Sequence, residues 1–303
     1  MTKPLSVTRR LAALLSLIAA MVLTGANVAL GKAIVAEVPI YIFMLFRFLL
    51  STAALSALVH WEAGPKLRQM RTGQVRDLLG MAVLGMIGFT ALMFEGLKRT
   101  SAADAGIITA TLPAVVALLG IVVMRDRLTM PQAGAVALAV AGLVLVQATG
   151  ALRDTATPFG NLLILGAVSC EASFVLLGKR LAPPYQPLRL ALGANMVGLG
   201  FAAPLALLEM PFDVAAVSRS IWLLGIWYAL SASVFCLWLW YRGLPDVETW
   251  LAGLTTAAIP VTALAASALF LTETIDAWKL LGGALVLGAI VLGAGAQPRN
   301  ISV

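Results

Sequence analysis

Long apolar runs separated by short polar connections repeat along the whole chain. Ten windows, 11–31, 39–59, 77–97, 103–124, 131–149, 160–178, 187–208, 219–241, 248–271 and 277–296, are each mostly apolar. Each is close to the roughly 20 residues an α-helix needs to cross the hydrocarbon core of a bilayer. The connections hold most of the charges, with Pro39, Pro131, Pro158 and Pro187 near helix starts, where the missing N–H of proline would have had no partner anyway. The first window follows Arg9 and Arg10 in the manner of a secretory signal. It is long enough to span, however, and lacks a clear small-x-small cleavage site, so it reads as the first membrane helix. The pattern predicts an all-α integral membrane protein with ten transmembrane helices and no separate soluble domain.

The windows repeat at one gap-free shift of 147 residues. Leu30-Gly31-Lys32 meets Leu177-Gly178-Lys179, Gly96-Leu97 meets Gly243-Leu244, and Gly106 meets Gly253. Thr109-Ala110 meets Thr256-Ala257, Pro113 meets Pro260, Asp126 meets Glu273, and Val144-Leu145 meets Val291-Leu292. Matches of Ala, Leu and Val carry little weight in an apolar chain. Gly-Lys, Thr-Ala-x-x-Pro and the acidic residue after the fourth helix carry more. The expected units are residues 1–150 and 151–303, with five helices each. An odd number makes the second copy enter the membrane from the opposite side, and inverted pairs of this kind hold a substrate near the midplane between them. A transporter working by alternating access is the expectation.

Composition agrees with the pattern and excludes other classes. Of 303 residues 61% are hydrophobic and 12% charged, and the mean hydropathy is +0.97. A soluble domain carries about a quarter charged residues. The net charge of +7 lies in connections between apolar runs and forms no basic face for nucleic acid. Lys3, Arg9, Arg10, Lys66, Arg68, Arg71, Arg76, Arg125, Arg127, Lys179, Arg180, Arg189, Arg242 and Arg299 fall on one side of the ten-span topology. Lys32, Lys98, Arg99, Arg153, Arg219 and Lys279 fall on the other. That bias predicts cytoplasmic amino and carboxyl termini. Trp61, Trp222, Trp250 and Trp278 near predicted helix ends read as interfacial anchors. Two cysteines, Cys170 and Cys236, and one histidine, His60, offer no metal-ligand spacing. No cofactor or metal is expected, and an intramembrane enzyme lacks usable His, Cys or paired Asp residues. The expected partners are the lipid bilayer and a small-molecule substrate, with no nucleic acid; the chain is expected as a monomer or a homodimer.

Candidate chemistry sits inside the spans. A charge at a helix centre costs about 2.5–3.5 kcal/mol on insertion scales, so it faces the bundle or water. Glu171, near the centre of helix six, is a candidate to receive a substrate amino group or a coupling proton; a neutral acid bonded to backbone is the plainer reading. Arg47, near the centre of helix two, is a candidate to receive a carboxylate, or it belongs to a structural salt bridge. Thr24 and Asn27 share a face of helix one, and Glu171 and Phe174 are their repeat equivalents, so helices one and six should present equivalent faces to a cavity. Pro113 and Pro260 each displace the carbonyl four residues earlier, those of Thr109 and Thr256. They are either hinges that present these threonines to cargo or static kinks. Tyr228, Phe235, Trp238 and Tyr241 are spaced along helix eight; the first three are candidates to stack on a flat ring, and packing or lipid contact is the plainer reading. Glu95 and Arg242 lie near helix ends and read as solvated. The small residues of helices five and ten, among them Gly134, Gly142, Gly288 and Gly293, suit close helix packing.

The segment Arg125-Asp126-Arg127-Leu128-Thr129, followed by Gln132-Ala133-Gly134 and Ala141-Gly142-Leu143-Val144-Leu145, resembles the end of an EamA domain. Leu271-Thr272-Glu273-Thr274 with Gly282-Gly283 and Val291-Leu292 repeats it. Arg47 in Phe46-Arg47-Phe48 resembles the arginine these domains carry in their second helix, and Lys32 the lysine that closes their first. Arg47 has Ala194 as its counterpart, so one half lacks that arginine. The resemblance covers the whole chain as two tandem copies and points to the drug/metabolite transporter superfamily, with ten-helix bacterial exporters as nearest relatives and aromatic amino acid exporters foremost. It implies a bacterial inner-membrane protein that exports amino acids, aromatic ones above all, or related metabolites. Drug-like cations and sugar-type metabolites are the competing cargoes.

Overall fold

A computed structural model describes residues 7–35, 37–97, 99, 108–125, 128–148, 158–182, 184–259, 261–262, 265 and 277–295. Helix is the only regular structure among them, with no strand. In chain order the helical runs begin with α1 (Val7–Val35) and α2 (Ile40–Leu58). Next come α3, made of Thr72–Ala82, a π-helical stretch Val83–Gly88 and Phe89–Leu97, and α4, made of Leu112–Leu119 and a π-helical Gly120–Met124. They are followed by α5 (Met130–Ala148), α6 (Pro158–Leu181) and α7 (Pro187–Ala206). α8 comprises Arg219–Leu230, a π-helical Ser231–Phe235 and Cys236–Gly243; α9 opens with Thr249–Thr255, and α10 is Ala277–Gly295. Each predicted window overlaps one of these runs. Among the described residues six helical stretches, in α1, α2, α3, α6, α7 and α8, are long and apolar enough to cross a membrane, and the apolar helices in α4, α5 and α10 are shorter.

The helices meet in pairs that obey the sequence repeat. α2 and α7 run antiparallel and cap one another. The Glu62 carboxylate, just past α2, accepts from the backbone N–H of Leu188 at 3.0 Å and Arg189 at 3.3 Å. The Glu209 carboxylate, just past α7, accepts from the N–H of Tyr41 and Ile42, both at 2.9 Å. Glu62 and Glu209, Tyr41 and Leu188, and Ile42 and Arg189 are all 147 residues apart. The first N–H groups of a helix have no partner within it, and a carboxylate there also meets the positive end of the helix dipole. Each helix thus completes the start of the other.

Gly96 and Gly243, a matched pair in the repeat, obey the same rule. A Cβ at Gly243 would lie 2.5 Å from the Ala13 carbonyl oxygen and 2.9 Å from the Leu17 side chain. One at Gly96 would lie 2.5 Å from the Ile164 side chain and 3.2 Å from the Gly160 carbonyl oxygen. Gly160 and Ile164 are the repeat equivalents of Ala13 and Leu17. These glycines let α8 lie against α1, and α3 against α6, at backbone contact distance. Small residues at helix crossings serve packing in a bilayer, where lipid supplies no hydrophobic drive between helices. At the ends of α1 and α8, Arg9 pairs with Asp246 at 2.9 Å and Arg10 with Glu248 at 3.3 Å.

Pro113 sits in the first turn of Leu112–Leu119, after turn residues Ala110 and Thr111. The break therefore precedes the proline and does not bend a continuous helix around it. After α9 come turn residues Thr256 and Ala257, the repeat equivalents of Thr109 and Ala110, so the break there falls one position earlier. Pro260 lies outside the described residues.

Candidate functional site

At the centre of the bundle lies a cavity of about 210 Å³. α1 contributes Met21 and Thr24, α2 Arg47, and α6 Glu171, Phe174 and Val175; Thr256 and Ile259 follow α9. The π-helical stretches of α3 and α8 supply Gly85 and Met86 on one side and Ala232 and Ser233 on the other. These are repeat equivalents, since both shift by 147. The i to i−5 bond that closes each π stretch is duplicated too: Phe89 N–H donates to Leu84 O, and Cys236 N–H donates to Ser231 O. Tyr228, Cys236, Leu237 and Trp240 complete the α8 wall. A Cβ at Gly85 would lie 2.5 Å from Phe174 Cδ2, so only glycine lets the Phe174 ring lie against the α3 backbone.

Arg47 and Glu171 both face this space. Arg47 lies over the Phe48 ring at 4.5 Å and the Tyr228 ring at 6.0 Å, and its buried Nε has no hydrogen-bond partner. Among the described residues Arg47 and Glu171 form no ion pair with each other. Thr24 Oγ1 donates to Ala20 O at 2.9 Å and lies 3.0 Å from Cys236 Sγ; Thr256 Oγ1 donates to Gly253 O at 2.6 Å. Both hydroxyls keep acceptor capacity toward the cavity. An arginine, a glutamate and the aromatic side chains of Phe174, Tyr228 and Trp240 thus line one cavity.

Of the candidate residues, Thr24, Arg47, Glu171, Phe174, Tyr228 and Thr256 converge here. Phe235 and Trp238 do not. Phe235 is 51% exposed on the outer surface, and Trp238 lies under the Arg242 guanidinium at 5.2 Å. The π stretch is the physical reason. An α-helix turns about 100° per residue, so Tyr228 and Phe235 would be about 20° apart in a regular helix. A π turn absorbs one extra residue and rotates the later part of the helix back by about 100°, away from the cavity. The same rotation brings in Trp240. At twelve positions from Tyr228 it would stand about 120° off in a regular helix and stands about 20° off with the insertion. Trp240 is 2% exposed, and its indole N–H has no partner.

Asn27 does not line the cavity. It is buried, and its Oδ1 accepts from Ser231 Oγ at 3.0 Å. Thr109 is half-buried just before the α4 break and also lies outside the lining. Sequence reasoning missed Trp240, the π stretches and the Glu62–Glu209 exchange. Only the last had a legible signal, because both glutamates sit at the common shift.

A bundle of long apolar helices around a largely apolar cavity that carries one arginine and one glutamate is the architecture of a multi-pass membrane protein. Residues 11–148 and 158–294 each match the EamA-like transporter family, and the chain belongs to that family. It is 31% identical over 290 residues to the uncharacterized transporter YetK of Bacillus subtilis, covering 94% of this chain and 87% of that one. It is 26% identical over 284 residues to the uncharacterized transporter YyaM of the same organism, covering 90% of each. A solved crystal structure shares the fold with a TM-score of 0.77 at 19% identity, covering 93% of this chain and 97% of that one.

Proposed function

We propose that the protein exports amino acids, aromatic ones above all, across the bacterial inner membrane by alternating access. The two halves, residues 1–150 and 151–303, are taken as inverted five-helix repeats. The observation that carries the cargo reading is one cavity that holds Arg47 and Glu171 unpaired, flanked by Phe174, Tyr228 and Trp240. An α-amino acid brings a carboxylate for Arg47, an ammonium for Glu171 and a side chain for the aromatic walls. Arginine suits the first task because its planar fork matches a carboxylate. The cavity's 210 Å³ lies below the roughly 300–1,000 Å³ of drug-sized sites, which favours a small metabolite. A drug-like cation would leave Arg47 beside an unmatched charge, and a sugar-type metabolite would use neither charge.

The antiparallel α2–α7 seam with its exchanged caps supports inversion, because equivalent helices pointing in opposite directions is what inversion requires. The excess of Lys and Arg on one side supports cytoplasmic termini. The test is counterflow of labelled metabolites in proteoliposomes, with and without a pH gradient. Phenylalanine, tyrosine and tryptophan should exchange ahead of aliphatic amino acids, quaternary amines and hexoses. Preference for a quaternary amine or a hexose would overturn the cargo reading. Reporter fusions at residues 153 and 299 should fall on opposite faces; a shared face would refute the ten-span inverted topology.

A further inference from the structure

We infer that Asn195 and Asn27 are positioning residues that hold α8 in its π-helical register, and that this register sets which aromatic side chains line the cavity. Both asparagines are buried within apolar spans, with exposures of 0% and 2%. Each bonds to the same short stretch of α8, from opposite halves of the chain. Asn195 Nδ2, on α7, donates to its own helix at Ala191 O, 2.8 Å away, and across to the Ser233 carbonyl at 3.3 Å. Asn27 Oδ1, on α1, accepts from Ser231 Oγ at 3.0 Å. Ser231 and Ser233 are the first and third residues of the π stretch Ser231–Phe235.

A π turn interrupts the regular i to i−4 ladder, and a carbonyl left poorly paired there needs another donor in a medium without water. Asn195 supplies that donor at Ser233. Each amide uses only one of its two polar atoms: Asn195 Oδ1 and Asn27 Nδ2 are buried without partners. Keeping a half-satisfied amide in a span is costly; leucine would fill either place without that cost. The bonds to the π stretch are what the asparagines provide. Relaxation of the stretch to an α-helix would turn everything after it forward by about 100°. Phe235 would swing toward the cavity and Trp240 out of it.

The register itself is independent of the cargo. Only its consequence for uptake rests on the reading of the cavity as an amino acid site. The test is therefore a thiol-accessibility assay that needs no cargo. Trp240→Cys and Phe235→Cys are made separately in a Cys170→Ser, Cys236→Ser background. Each is reacted with a small water-soluble methanethiosulfonate. In the parent register, position 240 should react from the aqueous cavity and position 235, facing lipid, should react slowly.

Asn195→Leu should lower the 240-to-235 rate ratio by roughly three- to tenfold, the population shift that one interhelical hydrogen bond supports. Asn195→Gln, which keeps the amide donor, should restore the ratio. Ser231→Ala removes the other brace with the smallest change in volume and should move the ratio the same way. A ratio unchanged in Asn195→Leu and in Ser231→Ala, with both variants eluting as folded protein in detergent, would overturn the inference. If the ratio moves while phenylalanine counterflow in the cysteine-intact Asn195→Leu protein does not, the register assignment stands and the cargo reading fails.

Discussion

Arg47 and Ala194 occupy equivalent places in α2 and α7, and Thr24 and Glu171 do so in α1 and α6. Tyr228 and Trp240 have Met81 and Met93 as counterparts. Gly96 and Gly243, Glu62 and Glu209, and the two π-closing bonds at Phe89 and Cys236 are by contrast matched across the halves. The skeleton is duplicated and the cavity chemistry is divided. A helix crossing imposes the same steric demand on both halves, so duplicated geometry keeps duplicated residues. A zwitterion, the cargo proposed above, has no twofold symmetry, and its ammonium and carboxylate would need different partners. On that proposal the half that supplies Arg47 needs no second Glu171.

That contrast can be broken first at the charges. Glu171→Gln should leave folding intact while amino acid counterflow falls by roughly 10- to 150-fold, the worth of a charge-assisted hydrogen bond of about 1.5–3 kcal/mol. Counterflow kinetics would show it, and unchanged uptake would remove Glu171 from the site. Next is the steric skeleton. Gly243→Ala puts a methyl 2.5 Å from the Ala13 carbonyl oxygen, and forcing α1 and α8 apart should cost about 1–3 kcal/mol. Gly96→Ala meets first the mobile end of Ile164 and should cost less. Thermal unfolding in detergent ranks the two, and the reverse order would contradict the packing described.

The exchanged caps give a smaller and symmetric effect. Glu62→Ala and Glu209→Ala should each destabilise by about 0.5–2 kcal/mol, typical of a lost helix cap; a double variant with no greater loss than either single one would show that the seam acts as one unit. The smallest effect is expected at the aromatic wall. Trp240→Phe should weaken aromatic cargo by up to about tenfold, within the 0.5–1.5 kcal/mol of an aromatic pair. Phe235→Ala, at the outer surface, should leave uptake unchanged. Loss at Phe235 with no change at Trp240 would reverse the assignment of the α8 faces.

Much of the scaffold is legible in the order of amino acids. Long apolar windows give membrane helices because an unpaired backbone group in lipid is too costly for anything but a helix or a closed barrel. Gly96 and Gly243 stand out as a repeat pair, and contact distance explains why both are glycine. Glu62 and Glu209 are just as visible, but a carboxylate beyond a helix end reads as solvated until the start of another helix is seen beside it. Thr24, Glu171 and Phe174 are found because two points on one regular helix share a face at known spacing. Phe235 and Trp238 are misplaced and Trp240 passed over when the same spacing rule is applied across Ser231–Phe235.

The chain on its own determined the membrane class, the two repeats and the charges that must lie inside, since each comes from local composition and the cost of burying backbone or charge in lipid. Tertiary structure alone decided that Arg47 and Glu171 face one cavity without pairing, and that α8 carries an extra residue in its turn. Both depend on bonds between residues far apart in sequence. A one-residue change of helical register, braced by Asn27 and Asn195 from the two halves, leaves no local mark along the chain.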